Sequence, residues 1–288
     1  MIFAMQCRLA TTEDKTALYA LWQNTFGDEP AVIDRFFQCV TPNDIVVCGE
    51  NGSPVSALYM PRVELRCGKK TLSAAYIYAA ATDTAYRGRG IMTYLLQFAA
   101  ENAQRQSLEG LYLVPAERTL FDYYGARGFV TAFFKKLVQY SRSELKALCE
   151  NPATALPASA LQFFKTREQA LQEIWHPAYS QTILDFSLFL NKQYGSETLL
   201  TDCGYAVYES EENAVQVTDF CCEEGKEAAL LGALLQKTDA AKFAFSMPVP
   251  RQIGSCPSKI VPAGMWRPLS KSAKQTEIQN GYIGITLG

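Results

Sequence analysis

Histidine is nearly absent from this chain, and charge is sparse. Of 288 residues one is histidine, His176, and 19% are Asp, Glu, Lys or Arg. A lone histidine leaves nothing from which to build a Cys/His metal cluster, and none of the nine cysteines falls in a C-x-x-C pair. No metal is expected. No long run of Lys or Arg occurs, and the 27 basic residues are balanced by 29 acidic ones. That balance argues against nucleic acid or an anionic membrane as the main partner. No apolar run is long enough to span a bilayer, and Met-Ile-Phe-Ala-Met-Gln-Cys-Arg at the start lacks a signal-peptide core. A cytoplasmic location with reduced thiols is the expectation, since the cysteine count is odd and the chain is not small. What is present in quantity is apolar: 48% of residues, enough for a packed core of one large or two ordinary domains.

Residues 74–129 carry most of the functional information. An alanine-rich apolar run of strand length contains Ala74, Ala75, Ala79, Ala80 and Ala81 and ends near Thr82. A Gly/Arg loop, Arg87-Gly88-Arg89-Gly90, opens a helix marked by Ile91, Met92, Leu95, Leu96, Ala99 and Ala103 at helical spacing. Glycines without Cβ let backbone N–H groups approach an anion closely, and the first helical N–H groups sit at the positive end of the helix dipole. Two arginines add charge and bidentate donors. A phosphate suits such a turn. By itself a Gly/Arg turn is a weak signal; strand, R-G-R-G-I-M, helix, strand and Y-x-x-x-G-F in that order is specific.

That order resembles motif A of the GNAT superfamily of acyl-CoA-dependent N-acyltransferases, Gln/Arg-x-x-Gly-x-Gly/Ala. Arg87 and Gly90 match, whereas Met92 stands where Gly or Ala is usual. A bulky residue there is similar to the Eis (enhanced intracellular survival) branch. The resemblance implies acetyl-CoA as donor and an amine of a small molecule or peptide as acceptor. It implies backbone contacts to the pantetheine from Ala80, Ala81 and Thr82. Gly88, Arg89, Gly90, Ile91, Met92 and Thr93 would hold the pyrophosphate, with Arg87 holding the start of the motif. Thr119 and Leu120 would flank the thiol end. Tyr124, the tyrosine of Y-x-x-x-G-F, would protonate the departing thiolate; a phenol of pKa about 10 suits a thiol of about 8.5. The strand before the motif has no carboxylate to act as base. Water, or the terminal carboxylate of Gly288 as in Eis proteins, is left to take the amine proton. His176, before Pro177, reads as a loop residue.

In chain order, a strand at 5–9 precedes a helix capped by Thr11 and stopped by Gly27, then a helix over 31–39. Trp22 and Phe26 read as core; the resemblance would place them, with Asp28, in an acceptor pocket. Asn51-Gly52 marks a hairpin. A strand at 129–140 is expected to close the first sheet. Residues 1–140 thus form the acetyl-CoA-binding domain, 141–160 a Pro-containing linker, and 161–288 a second domain. In the latter, helices at 166–173 and 183–191, strands at 204–209 and 214–220, a helix after Glu223-Glu224-Gly225-Lys226 and a strand at 243–247 repeat the order of the first. The overall expectation is a mixed α/β (α+β) fold: a GNAT-like, mostly antiparallel sheet with flanking helices, then a degenerate GNAT-like domain without the phosphate loop. Two other functions compete with N-acetyl transfer. One is a catalytically silent acyl-CoA-binding regulatory module. The other is a tandem tRNA-dependent aminoacyltransferase, which would need a more basic surface. Self-association into a homo-oligomer is left open.

Overall fold

The computed structural model describes residues 5–50, 52–149, 151–157 and 159–287. The first half of the chain runs β1 (Gln6–Leu9), α1 (Lys15–Phe26), α2 (Pro30–Phe36), β2 (Ile45–Glu50), β3 (Ser53–Tyr59), β4 (Arg62–Cys67), β5 (Lys70–Thr82), α3 (Ile91–Arg105), β6 (Gly110–Leu113), α4 (Thr119–Gly125) and β7 (Val130–Ser141). There follow α5 (Arg142–Leu148), β8 (Ala155–Leu156), α6 (Ala160–Ala170), β9 (His176–Ala178), α7 (Gln181–Gln193), β10 (Glu197–Thr201), β11 (Gly204–Ser210), β12 (Ala214–Cys222), α8 (Glu227–Lys237), β13 (Lys242–Met247), β14 (Ser258–Pro268) and α9 (Lys271–Gln275). Among the described residues no helix is long and apolar enough to cross a membrane.

Local chemistry sets many of these boundaries. Asp14 accepts from Thr11 N at 2.7 Å and from Arg8 Nη1 at 2.6 Å, fixing the entry to α1. Gly27 ends that helix at φ +72°. Pro30 opens α2. Gly52 turns the β2–β3 connection at φ +84°, while Asn51 lies outside the described residues. The apolar stripe of α3 (Ile91, Leu95, Leu96, Ala99, Ala103) is buried against Val46, Leu58, Ile77, Leu111 and Leu113 of the sheet.

Two compact units result, and they do not follow chain order. The first comprises Met1–Glu64, Leu72–Thr131 and Met265–Glu277; the second comprises Leu65–Thr71, Ala132–Gly264 and Ile278–Gly288. This departs from a division into 1–140, a linker at 141–160, and 161–288. The strand expected to close the first sheet, β7, instead pairs antiparallel with β13 in the second unit (Lys136↔Met247 to Ser141↔Lys242). The first sheet is closed by β14, which pairs antiparallel with β6 (Leu113↔Met265 to Gly110↔Pro268). A glycine makes the fit: a Cβ at Gly110 would stand 2.0 Å from the Trp266 indole. Neither β10 nor β14 is evident in the sequence. The helix expected at 166–173 begins earlier, where Ser159 Oγ accepts from Gln162 N at 3.2 Å.

Each unit repeats one device. In the first, β2, β3 and β5 are antiparallel, and β5 runs parallel to β6 across α3. In the second, β10, β11 and β12 are antiparallel, and β12 runs parallel to β13 across α8. Both strands before the helix carry a one-residue bulge. Ala57 and Tyr59 oppose Ala81 and Tyr78, leaving Leu58 against both Ala79 and Ala80. Val207 and Tyr208 oppose Asp219 and Val217, leaving Thr218 extra. In both units the parallel pairing stops before the bulge, at Ile77↔Leu113 and at Val217↔Phe245. Past those pairs the strands separate.

In the second unit the chain's own tail is bonded at that separation. Past the end of β13, Gly281 N donates to Ala132 O at 3.0 Å and Phe134 N to Gly281 O at 2.8 Å. From β12, buried Asp219 accepts from Tyr282 Oη at 2.6 Å, Ile285 N at 2.8 Å and Tyr205 Oη at 3.0 Å. Burial pushes the Asp219 carboxyl above the usual range, against the pull of Tyr282, Arg167, Tyr205 and the Ile285 amide. Arg167, 1% exposed, donates to Ile283 O at 2.8 Å and Pro177 O at 2.6 Å. Tyr282, Ile283, Ile285 and Leu287 are buried, as an apolar tail requires.

Two substitutions test this clasp. Asp219→Ala strands two buried phenols and an amide, and should cost about 2–4 kcal/mol. Gly284 sits at φ +65°, where a Cβ would lie 2.6 Å from Asp219 Oδ2. Gly284→Ala should therefore destabilise as well. Denaturant midpoints and amide exchange at Ile283 and Ile285 are the measurements; unchanged midpoints in both variants would show the tail is not held this way.

Candidate active site

The separation in the first unit is where the predicted site residues gather. Ala79 adopts φ +46°, an uncommon conformation for a residue with a Cβ, and the bulge it belongs to turns the end of β5 away from β6. Residues 78–82 continue β5 past its last β6 partner. The Ala81 carbonyl accepts from Ser56 Oγ at 2.8 Å and the Thr82 carbonyl from Arg87 Nε at 3.0 Å. Ala80 packs against the apolar cluster under α3. An extended ligand would meet backbone here, because the side chains are alanines.

The loop after β5 holds itself in shape. Asp83 Oδ1 caps a single turn by accepting from Ala85 N at 2.8 Å. Arg87 reaches back to Thr82, and Arg89 Nη2 donates to Ala85 O at 3.0 Å while its guanidinium lies 5.0 Å from the Tyr86 ring centroid. Gly88 and Gly90 stand at φ +77° and +75°, and apart from their chain neighbours no described residue lies within 4 Å of a Cβ built on either. These glycines answer to backbone conformation and to whatever occupies the space above the loop. The N–H groups of Ile91 and Met92 open α3 at its positive end. Met92, unusual at the last motif position, turns its side chain into the apolar cluster.

Thr93 links two helices. Its N–H donates to Gly90 O at 2.9 Å, and its hydroxyl accepts from Arg127 Nε at 3.1 Å and Nη2 at 2.7 Å. Arg127 also donates from Nη1 to Tyr123 O at 2.6 Å, and its guanidinium stacks 3.5 Å from the Tyr123 ring centroid. Thr93 thus fastens α3 to α4, and its hydroxyl, an acceptor toward Arg127, keeps its own hydrogen to donate. The sequence signals Arg127 only as a cation inside Y-x-x-x-G-F; its direction is a tertiary fact.

Tyr124 is half-buried, edge-on to Tyr123 at 5.3 Å and to Phe129 at 5.8 Å. It shares the α3 cluster with Ala80, Met92 and Ile91, so strand, loop helix and phenol are brought together. Burial raises its pKa, Tyr123 adds to the rise and the Arg127 cation opposes it. Leu120 is half-buried at the start of α4, whereas Thr119 is exposed and bonds Glu117 Oε2 at 3.3 Å.

On the opposite face of the sheet Trp22, 1% exposed, packs against Phe36 at 4.8 Å, Tyr59 at 5.0 Å and Tyr78 at 5.7 Å. Its Nε1 donates to Asp28 Oδ2 at 2.7 Å. Trp22 is core, as its apolar spacing suggests; Phe26, 44% exposed, is at the rim. His176 is not in a loop but in β9, buried, bonded to Ile174 O at 2.7 Å and Glu168 Oε1 at 3.2 Å. Both ring nitrogens are occupied, which suits a structural residue. Gly288 lies outside the described residues. Among those described, no group of His, Cys, Asp and Glu could hold a metal.

The segment that carries this interrupted strand pairing, glycine loop and helix N-terminus is similar in sequence to the GNAT acetyltransferase domain, over residues 6–132. The match covers less than half of the chain. No curated protein matches the chain in sequence. Among solved structures, a GCN5-related N-acetyltransferase from Anabaena variabilis is similar at TM-score 0.76 and 14% identity, over 94% of this chain and 74% of that one. Another from Kribbella flavida is similar at TM-score 0.73 and 14% identity, over 94% and 73%. Eis1 from Mycobacterium abscessus is similar at TM-score 0.69 and 12% identity, over 92% and 74%. These likenesses establish a GNAT-like fold across the whole chain.

The fastening between α3 and α4 is testable. Removing the cation in Arg127→Met should raise the Tyr124 phenol further, and Arg127→Lys should restore much of the difference. The tyrosinate absorbance lost in Tyr124→Phe reports this group. A Tyr124 titration identical in wild type and Arg127→Met would refute the electrostatic contact.

Proposed function

We propose that the protein is an acetyl-CoA-dependent N-acetyltransferase with one donor site per chain, acting on an amine of a small molecule or peptide. The observation that carries this reading is the opened end of β5 leading into the self-held loop of Gly88 and Gly90. Acetyl-CoA supplies the thioester that is aminolysed. Backbone N–H groups of residues 88–92 suit its pyrophosphate, with Arg87 and Arg89 lending charge. The backbone around Ala80 suits the pantetheine. The second unit lacks both features: its loop is Glu223-Glu224-Gly225-Lys226, and Asp219 on its opened strand is bonded to the tail.

Tyr124 Oη supplies the proton that the departing sulfur needs. Its raised pKa keeps the phenol protonated at neutral pH, so activity that depends on this proton is full below the raised value and falls as pH climbs through it. Attack requires a neutral amine. With no carboxylate on β5, the amine proton passes to water; the terminal carboxylate of Gly288 is the alternative acceptor. An engaged Thr93 leaves the first turn of α3 rigid, which favours ligand binding without reordering.

Calorimetry with acetyl-CoA should give one site per chain, and Gly90→Val should abolish binding because φ +75° admits no β-branched residue. Tyr124→Phe should bind acetyl-CoA normally while turnover falls by about 10²–10⁴-fold. Two equivalent sites would contradict the stoichiometry. A silent Tyr124→Phe beside an impaired Tyr123→Phe would reassign the acid. Binding without transfer to any amine would favour an acyl-CoA-binding regulatory module.

A further inference from the structure

Cys7 of β1 stands directly opposite Cys48 of β2 in the antiparallel ladder at the edge of the first unit's sheet. The same register places Ala10 opposite Ile45, and Ala10 N donates to Ile45 O at 2.9 Å. That pair is therefore hydrogen-bonded. Antiparallel pairs alternate, so Arg8↔Val47 is hydrogen-bonded and Cys7↔Cys48 is not. Non-hydrogen-bonded pairs bring Cα atoms to about 4.5 Å, inside the range of about 4.4–6.8 Å that a disulfide spans. Both side chains pack with the apolar cluster beneath α3. Cys48 is 1% exposed; Cys7 is half-buried and reachable.

We propose that Cys7 and Cys48 form a reversible thiol–disulfide modification site, oxidised by a low-molecular-weight disulfide and restored by a thiol. Cys7, the accessible member, attacks one sulfur of oxidised glutathione as its thiolate and releases one glutathione thiolate. The Cys48 thiolate then attacks the Cys7 sulfur of the mixed disulfide and releases the second. Two protein thiols lose their hydrogens, and one glutathione disulfide becomes two glutathione thiols. Each step is attack of a thiolate on a disulfide sulfur, the ordinary route of thiol–disulfide exchange. The product staples the edge strand to its neighbour beside the first turns of α3, where Ile91 and Leu95 share the cluster. It closes a loop containing α1 and α2, so the oxidised form should unfold at a higher temperature.

The test is to incubate the full chain with oxidised glutathione, block remaining thiols, and digest without reduction. The expected result is a linked peptide containing Cys7 and Cys48, lighter by two hydrogens than its reduced parts and opened by dithiothreitol. Cys48→Ser should instead trap glutathione on Cys7. Cys7→Ser, which alters a half-exposed position, should leave Cys48 reduced. Full alkylation of both thiols after oxidation overturns the proposal. So does linkage of either one to Cys39, Cys67 or another cysteine.

Discussion

One extra residue in one strand governs the candidate site. A parallel neighbour can pair with β5 only while the pleat is regular, and the bulge at Ala79 and Ala80 breaks that regularity. Pairing with β6 ends at Ile77, and the candidate site lies beyond that point. The alanine backbone, the Arg87–Thr82 contact, the two left-handed glycines and the start of α3 all follow from it in sequence. Ala79 bears the conformational cost: a left-handed alanine is disfavoured by about 1–2 kcal/mol. Packing of α3 on the sheet through Leu95, Leu96 and Ala99 is the kind of burial that can hold such a residue in place.

The second unit carries the same device beside an acidic loop, Glu223-Glu224-Gly225-Lys226. Thr218 plays the part of the extra residue, and pairing with β13 ends at Val217. Beyond it Asp219, with Arg167 from α6, both buried, binds the backbone and the one phenol of residues 282–285. A buried carboxylate is costly unless its acceptor capacity is filled, and here three donors fill it. A polar pair of this kind specifies one seating of the tail, since any shift in register would leave it unsatisfied.

The exchange of closing strands explains why a linear division of the chain is inadequate. Sequence reading assigns β7 to the sheet that precedes it because consecutive strands usually neighbour each other. Trp266 against Gly110 competes for that edge and occupies it. β14 contains Lys259, Pro262 and Gly264, so it lacks the unbroken alternation by which a strand is recognised. Its assignment depends on a partner far away in sequence.

By itself the sequence determined the local grammar of the site. Gly88 and Gly90, the helix beginning at Ile91, Tyr124 ahead of Gly128, and the core placement of Trp22 are legible because each depends on backbone propensity or short-range periodicity. The acidic loop before α8, Glu223-Glu224-Gly225-Lys226, is likewise read directly from the sequence. Tertiary structure decided what depends on long-range partners. It turned Arg127 onto Thr93 and Tyr123, put His176 in a buried strand between Ile174 and Glu168, and brought Cys7 opposite Cys48. Periodicity tells which face a residue occupies; only the register of a partner strand, or the reach of a side chain from another element, tells what it meets there.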